Sequence, residues 1–204
     1  MPLALDAFVA LVAFALVASI TPGPNTLMLL ASGVNFGWRR TLPHMFGICI
    51  GFTTMIFLVG LGFAGVFQRY PWAHDALRVV GIVYMLWLAW KIATSAGIGE
   101  TSAAGRPFTF LQAAAFQWVN PKAWAIAVAA IGAYTVPDAY LTSVAVVALV
   151  FGAVGVPSVS TWTLVGLGVR RLLAQPRRIR VFNGLMALLL VLSLWPVVSE
   201  ALQG

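Results

Sequence analysis

Almost the whole chain is a succession of apolar runs, each about as long as a helix that crosses a bilayer, with short polar turns between them. The runs begin near Leu3, Pro43, Ala76, Phe108, Ala139 and Val181, and they end near Phe36, Phe67, Thr94, Tyr134, Gly168 and Val198. Only 8% of the 204 residues are charged, against about 25% in an ordinary soluble domain. A soluble protein so poor in charge could not cover its own surface with polar groups, so lipid is the solvent for most of this one. At roughly 20 apolar residues per spanning helix, the length allows about six spans and little else. The expected architecture is an all-α membrane protein of about six transmembrane helices, a single transmembrane domain over residues 1–204. The first run has no basic residues ahead of it and leads straight into a polar motif, so it reads as a first span rather than a cleaved leader. Cys49 is the only cysteine, so one chain can form no disulfide and no thiolate metal cluster.

The net charge of +7 raises nucleic acid as a partner. The placement of the charges argues against it. Arg39 and Arg40, Lys91 and Arg106, and the five arginines from Arg170 to Arg180 follow the first, third and fifth runs, while Arg69 and Arg78 alone lie on the other side. Cytoplasmic loops carry the Lys/Arg excess. Both termini are therefore expected outside, in the periplasm of a bacterial inner (cytoplasmic) membrane. Trp38, Tyr70, Trp72, Trp90, Tyr134, Tyr140 and Trp195 fall near run ends, as interfacial aromatics do.

Two runs are broken by proline about half the chain apart, at Thr21-Pro22-Gly23-Pro24-Asn25 and at Asn120-Pro121-Lys122. Each break lies in the first run of a three-run half: residues 1–95, then a cytoplasmic loop at 96–107, then residues 108–204. An odd number of spans per half turns the second half over. The expected arrangement is two inverted three-helix repeats with broken helices 1 and 4, and such interruptions are the best pointer to a transport site. Proline cannot continue a helix but suits the first position of a new one, and threonine and asparagine cap well. Each break should thus start a half-helix inside the bilayer. Helix N-termini carry partial positive charge and bind anions, so two of them at one cavity suit a carboxylate, with Lys122 adding a full charge. Whether the first and fourth runs cross fully or re-enter stays open.

The alternative is that these prolines only kink spanning helices, which is the expectation for Pro157 alone. Lys122 could instead snorkel to an interface. About 13 residues from Phe108 separate it from the loop, roughly 20 Å of helix, and an intramembrane cation is a functional candidate by default. Gly47 and Gly51 suit close helix packing. Ser158 and Thr161 either line a path or bond to backbone, and Trp118 and Trp124 either wall the cavity or pack.

The same residues carry a resemblance. T-P-G-P-N at 21–25, the run Tyr84-Met85-Leu86-Trp87-Leu88-Ala89-Trp90-Lys91-Ile92-Ala93-Thr94, and Phe116-Gln117-Trp118-Val119-Asn120-Pro121-Lys122 together resemble the LysE/RhtB family of amino acid exporters, over essentially the whole chain. The third-run segment looks most like the branch exporting cysteine and O-acetylserine. The resemblance implies a small bacterial inner-membrane protein that exports amino acids with the proton motive force as driver. It marks Pro22, Pro24, Asn25, Asn120, Pro121 and Lys122 as the residues to watch.

The expected function is thus a secondary transporter exporting amino acids. The expected substrate site is Thr21, Pro22, Gly23, Pro24, Asn25, Asn120, Pro121 and Lys122, with Trp118, Trp124, Ser158 and Thr161 along the pathway. Asp6, Asp75, Glu100, Asp138 and Glu200 all lie near run ends or in loops. A cationic substrate side chain would find no partner, which favours small neutral amino acids such as cysteine, O-acetylserine, homoserine or threonine. Protons are the expected coupling ion, although no carboxylate sits mid-span to carry them. No cofactor, no metal and no nucleic acid is expected, and a homo-oligomer is compatible with this reading. Two alternatives are weighed against it. An ion or metal exporter would have to rely on backbone carbonyls. A membrane-embedded enzyme would need a cluster that His44 and His74, on opposite sides, do not make. No GxxxxGK[ST] loop is present for ATP hydrolysis.

Overall fold

The computed structural model describes residues 3–63, 65, 69–95, 106–173, 175–195 and 198–199, apart from the side chains of Pro71 and His74. Glu100, Glu200, Gln68 and most of the 96–107 loop lie outside the described residues. Every regular element among the described residues is helical: α1 (Leu5–Ile20), α2 (Pro24–Leu58), α3 (Pro71–Ala93), α4 (Phe110–Val119), α5 (Pro121–Tyr134), α6 (Tyr140–Leu172) and α7 (Pro176–Leu192). A π-helical turn, Val59–Phe63, extends α2, and a 3₁₀ turn, Pro137–Ala139, precedes α6.

Three helical stretches are long and apolar enough to cross a membrane, Pro24–Phe63, Asp75–Ala93 and Pro137–Leu172. The count is lower than the six runs because the breaks cut the first and fourth runs into shorter pieces. The sixth run yields a 17-residue helix that spends its first turns on Arg177, Arg178 and Arg180. Many outward-facing positions are large and apolar, with Leu5, Leu111 and Leu149 among the most exposed side chains. Water would penalise such a surface, whereas lipid tails accept it.

Residue Gly37 folds α2 back on itself. Its φ of 77° and ψ of 178° belong to a region essentially reserved for glycine. Ser32 Oγ and Thr41 Oγ1 lie 2.9 Å apart, although nine residues of straight helix would span about 13 Å. The arm 24–36 therefore lies beside the arm 38–58, and Trp38, Arg39 and Arg40 open the second arm rather than forming a loop.

The largest contact in the molecule is α2 on α6. At its crossing Gly33 meets Gly166: a Cβ on Gly33 would collide with the Thr163 carbonyl oxygen and lie 3.2 Å from Gly166 Cα. Small residues let membrane helices come this close. Gly47 and Gly51 do the same for α4, facing Phe110, Ala113 and Ala114. α4 starts with a reciprocal cap: the Gln112 amide donates to Thr109 Oγ1 at 3.2 Å and the Thr109 amide to Gln112 Oε1 at 3.1 Å. Further contacts join α1 to α6, α4 to α2, and α3 to α7.

Candidate functional site

Both proline breaks are present and they meet. α1 ends at Ile20 and α2 starts at Pro24, while α4 ends at Val119 and α5 starts at Pro121. In each case the proline stands at the start of the new helix, where its missing N–H leaves nothing unpaired. Between the breaks lies a cavity of about 70 Å³. At ~10–15 Å³ per enclosed water it has room for about five waters, the scale of a small amino acid. Its polar lining is Ser19, Asn25, Thr26, Gln117, Asn120, Lys122 and Ser158, and Cys49, Phe52 and Phe151 are among its apolar walls.

Lys122 reaches from the second break to the first. Its Nζ donates to the Thr21 carbonyl at 2.7 Å and to the Pro22 carbonyl at 3.4 Å. These carbonyls end α1, where the helix dipole is negative and a cation is favoured. An ammonium has three donors, so one remains. Gly23 is what lets the lysine lie there: a Cβ at that position would come within 2.8 Å of Lys122 Cδ and 3.2 Å of Nζ. Asn25 and Gln117 exchange two hydrogen bonds beside it, Asn25 Nδ2 to Gln117 Oε1 at 2.8 Å and Gln117 Nε2 to Asn25 Oδ1 at 3.2 Å. Gln117 Nε2 also donates to the Ala113 carbonyl.

The helix ends are capped from within the chain. The Gly23 amide donates to Thr26 Oγ1 at 2.7 Å. The Lys122 amide donates to Asn120 Oδ1 at 3.2 Å and the Ala123 amide to the Asn120 carbonyl at 3.0 Å. At the second break, then, the amides expected to face a ligand are already taken up by Asn120. The charge that remains for an anion there is Lys122 itself.

Of the residues singled out from sequence, Gly23, Pro24, Asn25, Asn120, Lys122 and Ser158 line the cavity. Thr21 and Pro22 contribute carbonyls to Lys122, and Pro121 opens α5. Ser158 donates to the Ser19 carbonyl at 2.8 Å, tying α6 to the end of α1. Thr161 is exposed and donates back to the Pro157 carbonyl. Trp118 and Trp124 pack on each other with ring centres 6.0 Å apart, and the Trp124 indole donates to the Trp118 carbonyl at 2.8 Å. Sequence reasoning passed over Gln117 as a site residue. Its signal was an amide side chain inside an apolar run, where a polar group must find a partner, and the structure buries it fully.

A bundle of apolar helices that encloses a small polar cavity at paired helix breaks suits a membrane translocator. Comparison with known proteins makes the assignment specific: the model of the LysE type translocator family matches residues 16–193, and the chain belongs to that family. It is 33% identical over 180 residues to the cysteine/O-acetylserine efflux protein of Escherichia coli (strain K12), covering 87% of this chain and 90% of that one. The protein of the same name from Shigella sonnei (strain Ss046) matches at the same identity and coverage, and that of Escherichia coli O139:H28 at 32%. No solved structure matches the chain. Family membership makes this a translocator and not an enzyme.

Proposed function

We propose that the chain is a secondary transporter that exports small neutral amino acids across the bacterial cytoplasmic membrane, with cysteine and O-acetylserine as the leading substrates. The observation that carries this reading is Lys122, which bridges the two helix breaks inside a cavity of amino-acid size in a chain of this family. The third N–H of its ammonium takes the substrate carboxylate, and the Asn25–Gln117 pair supplies further donors and acceptors. No carboxylate is among the described lining residues, so a cationic side chain gains nothing there. The similar efflux proteins named for cysteine and O-acetylserine support the same substrate class.

The reading includes six spans in two inverted repeats, with both termini periplasmic. The packing supports it: α1 of the first half lies on α6 of the second, and α4 of the second half lies on α2 of the first. Each half begins with a proline-broken segment. Protons drive export by this reading. Among the described residues no three His, Cys, Asp or Glu side chains gather, so no observation favours the metal-exporter alternative.

The test loads cells with dipeptides and follows which amino acids leave faster when the protein is made, then repeats the assay with Lys122→Gln and Pro121→Ala. Efflux should fall by on the order of tenfold or more, a loss of about 1.4 kcal/mol of productive interaction, while membrane insertion is kept. Unchanged efflux in both variants would remove the site, and no faster release of any small neutral amino acid would remove the substrate class.

A further inference from the structure

A second cavity, of about 40 Å³, lies at the end of the molecule where the basic residues gather. It is lined by His44, Lys91, Arg106, Asn35, Ser32 and Phe108, among others. His44 is 1% exposed, and neither ring nitrogen has a hydrogen-bond partner. Leaving a buried polar group unpaired costs about 1–3 kcal/mol, and native structures seldom tolerate it without a reason. The neutral side chains Ser32 and Asn35 beside it are already engaged. Ser32 bonds to Thr41. Asn35 and Asn183 exchange two hydrogen bonds at 2.9 and 3.2 Å, and Asn183 also donates to the Ser95 carbonyl. Among the uncharged polar side chains that line the cavity and are described, the imidazole is thus the one left without a partner.

The charge around it defines the occupant. Lys91 Nζ lies over the rings of Trp87 and Phe108, at 5.2 and 5.5 Å from their centres, and His44 stacks on the same Phe108 at 5.2 Å. The aromatic faces hold a cation without neutralising its charge. Arg106 adds a second cation, and no carboxylate is among the described lining residues. Two cations and an imidazole N–H with no acceptor suit an oxyanion. The arm 24–36 links it to the central cavity: Asn25, Thr26 and Leu29 face one, and Met28, Ala31, Ser32 and Asn35 face the other. The centres of the two lining sets lie about five residues apart on that arm, roughly 7 Å of helix.

We propose that the His44–Lys91–Arg106 cavity is a separate loading site that takes the carboxylate of an amino acid before it reaches Lys122, a role that rests on the exporter reading above. The imidazole N–H of His44 and the ammonium of Lys91 donate to the carboxylate. The near-complete burial of His44 favours a small free anion over a lipid headgroup.

The test uses the full chain in phosphatidylcholine nanodiscs with ¹⁵N-labelled histidine. The chain has 2 histidines, and His44→Phe assigns the signals. O-acetyl-L-serine should shift the His44 ring signals saturably, and O-acetylethanolamine, the same molecule without its carboxylate, should not. Lys91→Gln should raise the midpoint by on the order of tenfold, whereas Lys122→Gln should leave it in place. A silent His44 overturns the proposal. So does an equal shift with O-acetylethanolamine, which would mean that only water is displaced. A shift that needs phosphatidylglycerol in the disc would assign the cavity to lipid instead. If His44 stays silent while cells still export O-acetylserine through Lys122, the loading site alone falls. If export fails as well, the exporter reading falls with it.

Discussion

Asn25 and Gln117 hold each other through both amide groups, joining the first turn of α2 to the last turn of α4. The pair closes one wall of the central cavity with a bond that must break if the two helices separate. Hydrogen bonds between membrane helices contribute about 0.6–2 kcal/mol. Asn25→Ala and Gln117→Ala should each lower stability in detergent by that order. The double variant should cost less than the sum, since either change alone removes the shared pair. A double-mutant cycle on unfolding midpoints measures the coupling, and strict additivity would show that the amides do not support each other.

Gly23→Ala probes the placement of Lys122 without touching the lysine. The added Cβ would stand 2.8 Å from Lys122 Cδ, and the flexible side chain can yield while the fold stays. Insertion and yield should match the wild type, and efflux should drop toward the Lys122→Gln level. Normal export from Gly23→Ala would show that the bond from Lys122 to Thr21 is not needed.

Gly33→Val tests the crossing of α2 and α6. The new side chain would meet backbone, the Thr163 carbonyl and the Gly166 Cα, which cannot rotate away. Overpacking of this kind costs about 1–3 kcal/mol. The thermal midpoint in detergent should fall, and Gly166→Val should reproduce the effect from the other side.

Gly37→Ala addresses the reversal. A non-glycine residue held at φ 77° costs about 1–3 kcal/mol. The variant should lose stability while keeping its insertion, and Gly37→Asn should lose as much, because asparagine's tolerance of positive φ is confined to the left-handed helical region and does not extend to ψ 178°.

Trp124→Phe separates packing from pathway. The indole N–H of Trp124 bonds to the Trp118 carbonyl rather than facing the cavity. Losing that bond should cost about 0.5–1.5 kcal/mol of stability and leave the substrate preference of efflux as it was. A changed preference would put the ring in the path.

Much of this was readable before any coordinates. Proline removes an amide and forbids the preceding turn, so the breaks at Thr21–Asn25 and Asn120–Pro121 were set by local chemistry. Lys122 stood out because a cation amid apolar residues needs a reason. The reversal at Gly37 was harder to read. Gly37-Trp38-Arg39-Arg40 looks like an ordinary polar turn between spans, and only the backbone shows that a single residue makes the corner. The two amide pairs were also hidden, because Asn25 meets Gln117 and Asn35 meets Asn183 across long stretches of chain. Nothing local encodes those meetings. Ser158 and Thr161 sit three residues apart in one polar patch, yet one bonds to the end of α1 and the other to its own helix. Which face of α6 turns inward is decided by the crossing at Gly33 and Gly166, not by the polarity of the patch.

The short arm between Gly23 and Gly37 has a corner at each end and a tight contact at Gly33, and it borders both chambers. Any displacement of this one rod is therefore felt in both chambers, since its side chains wall each of them.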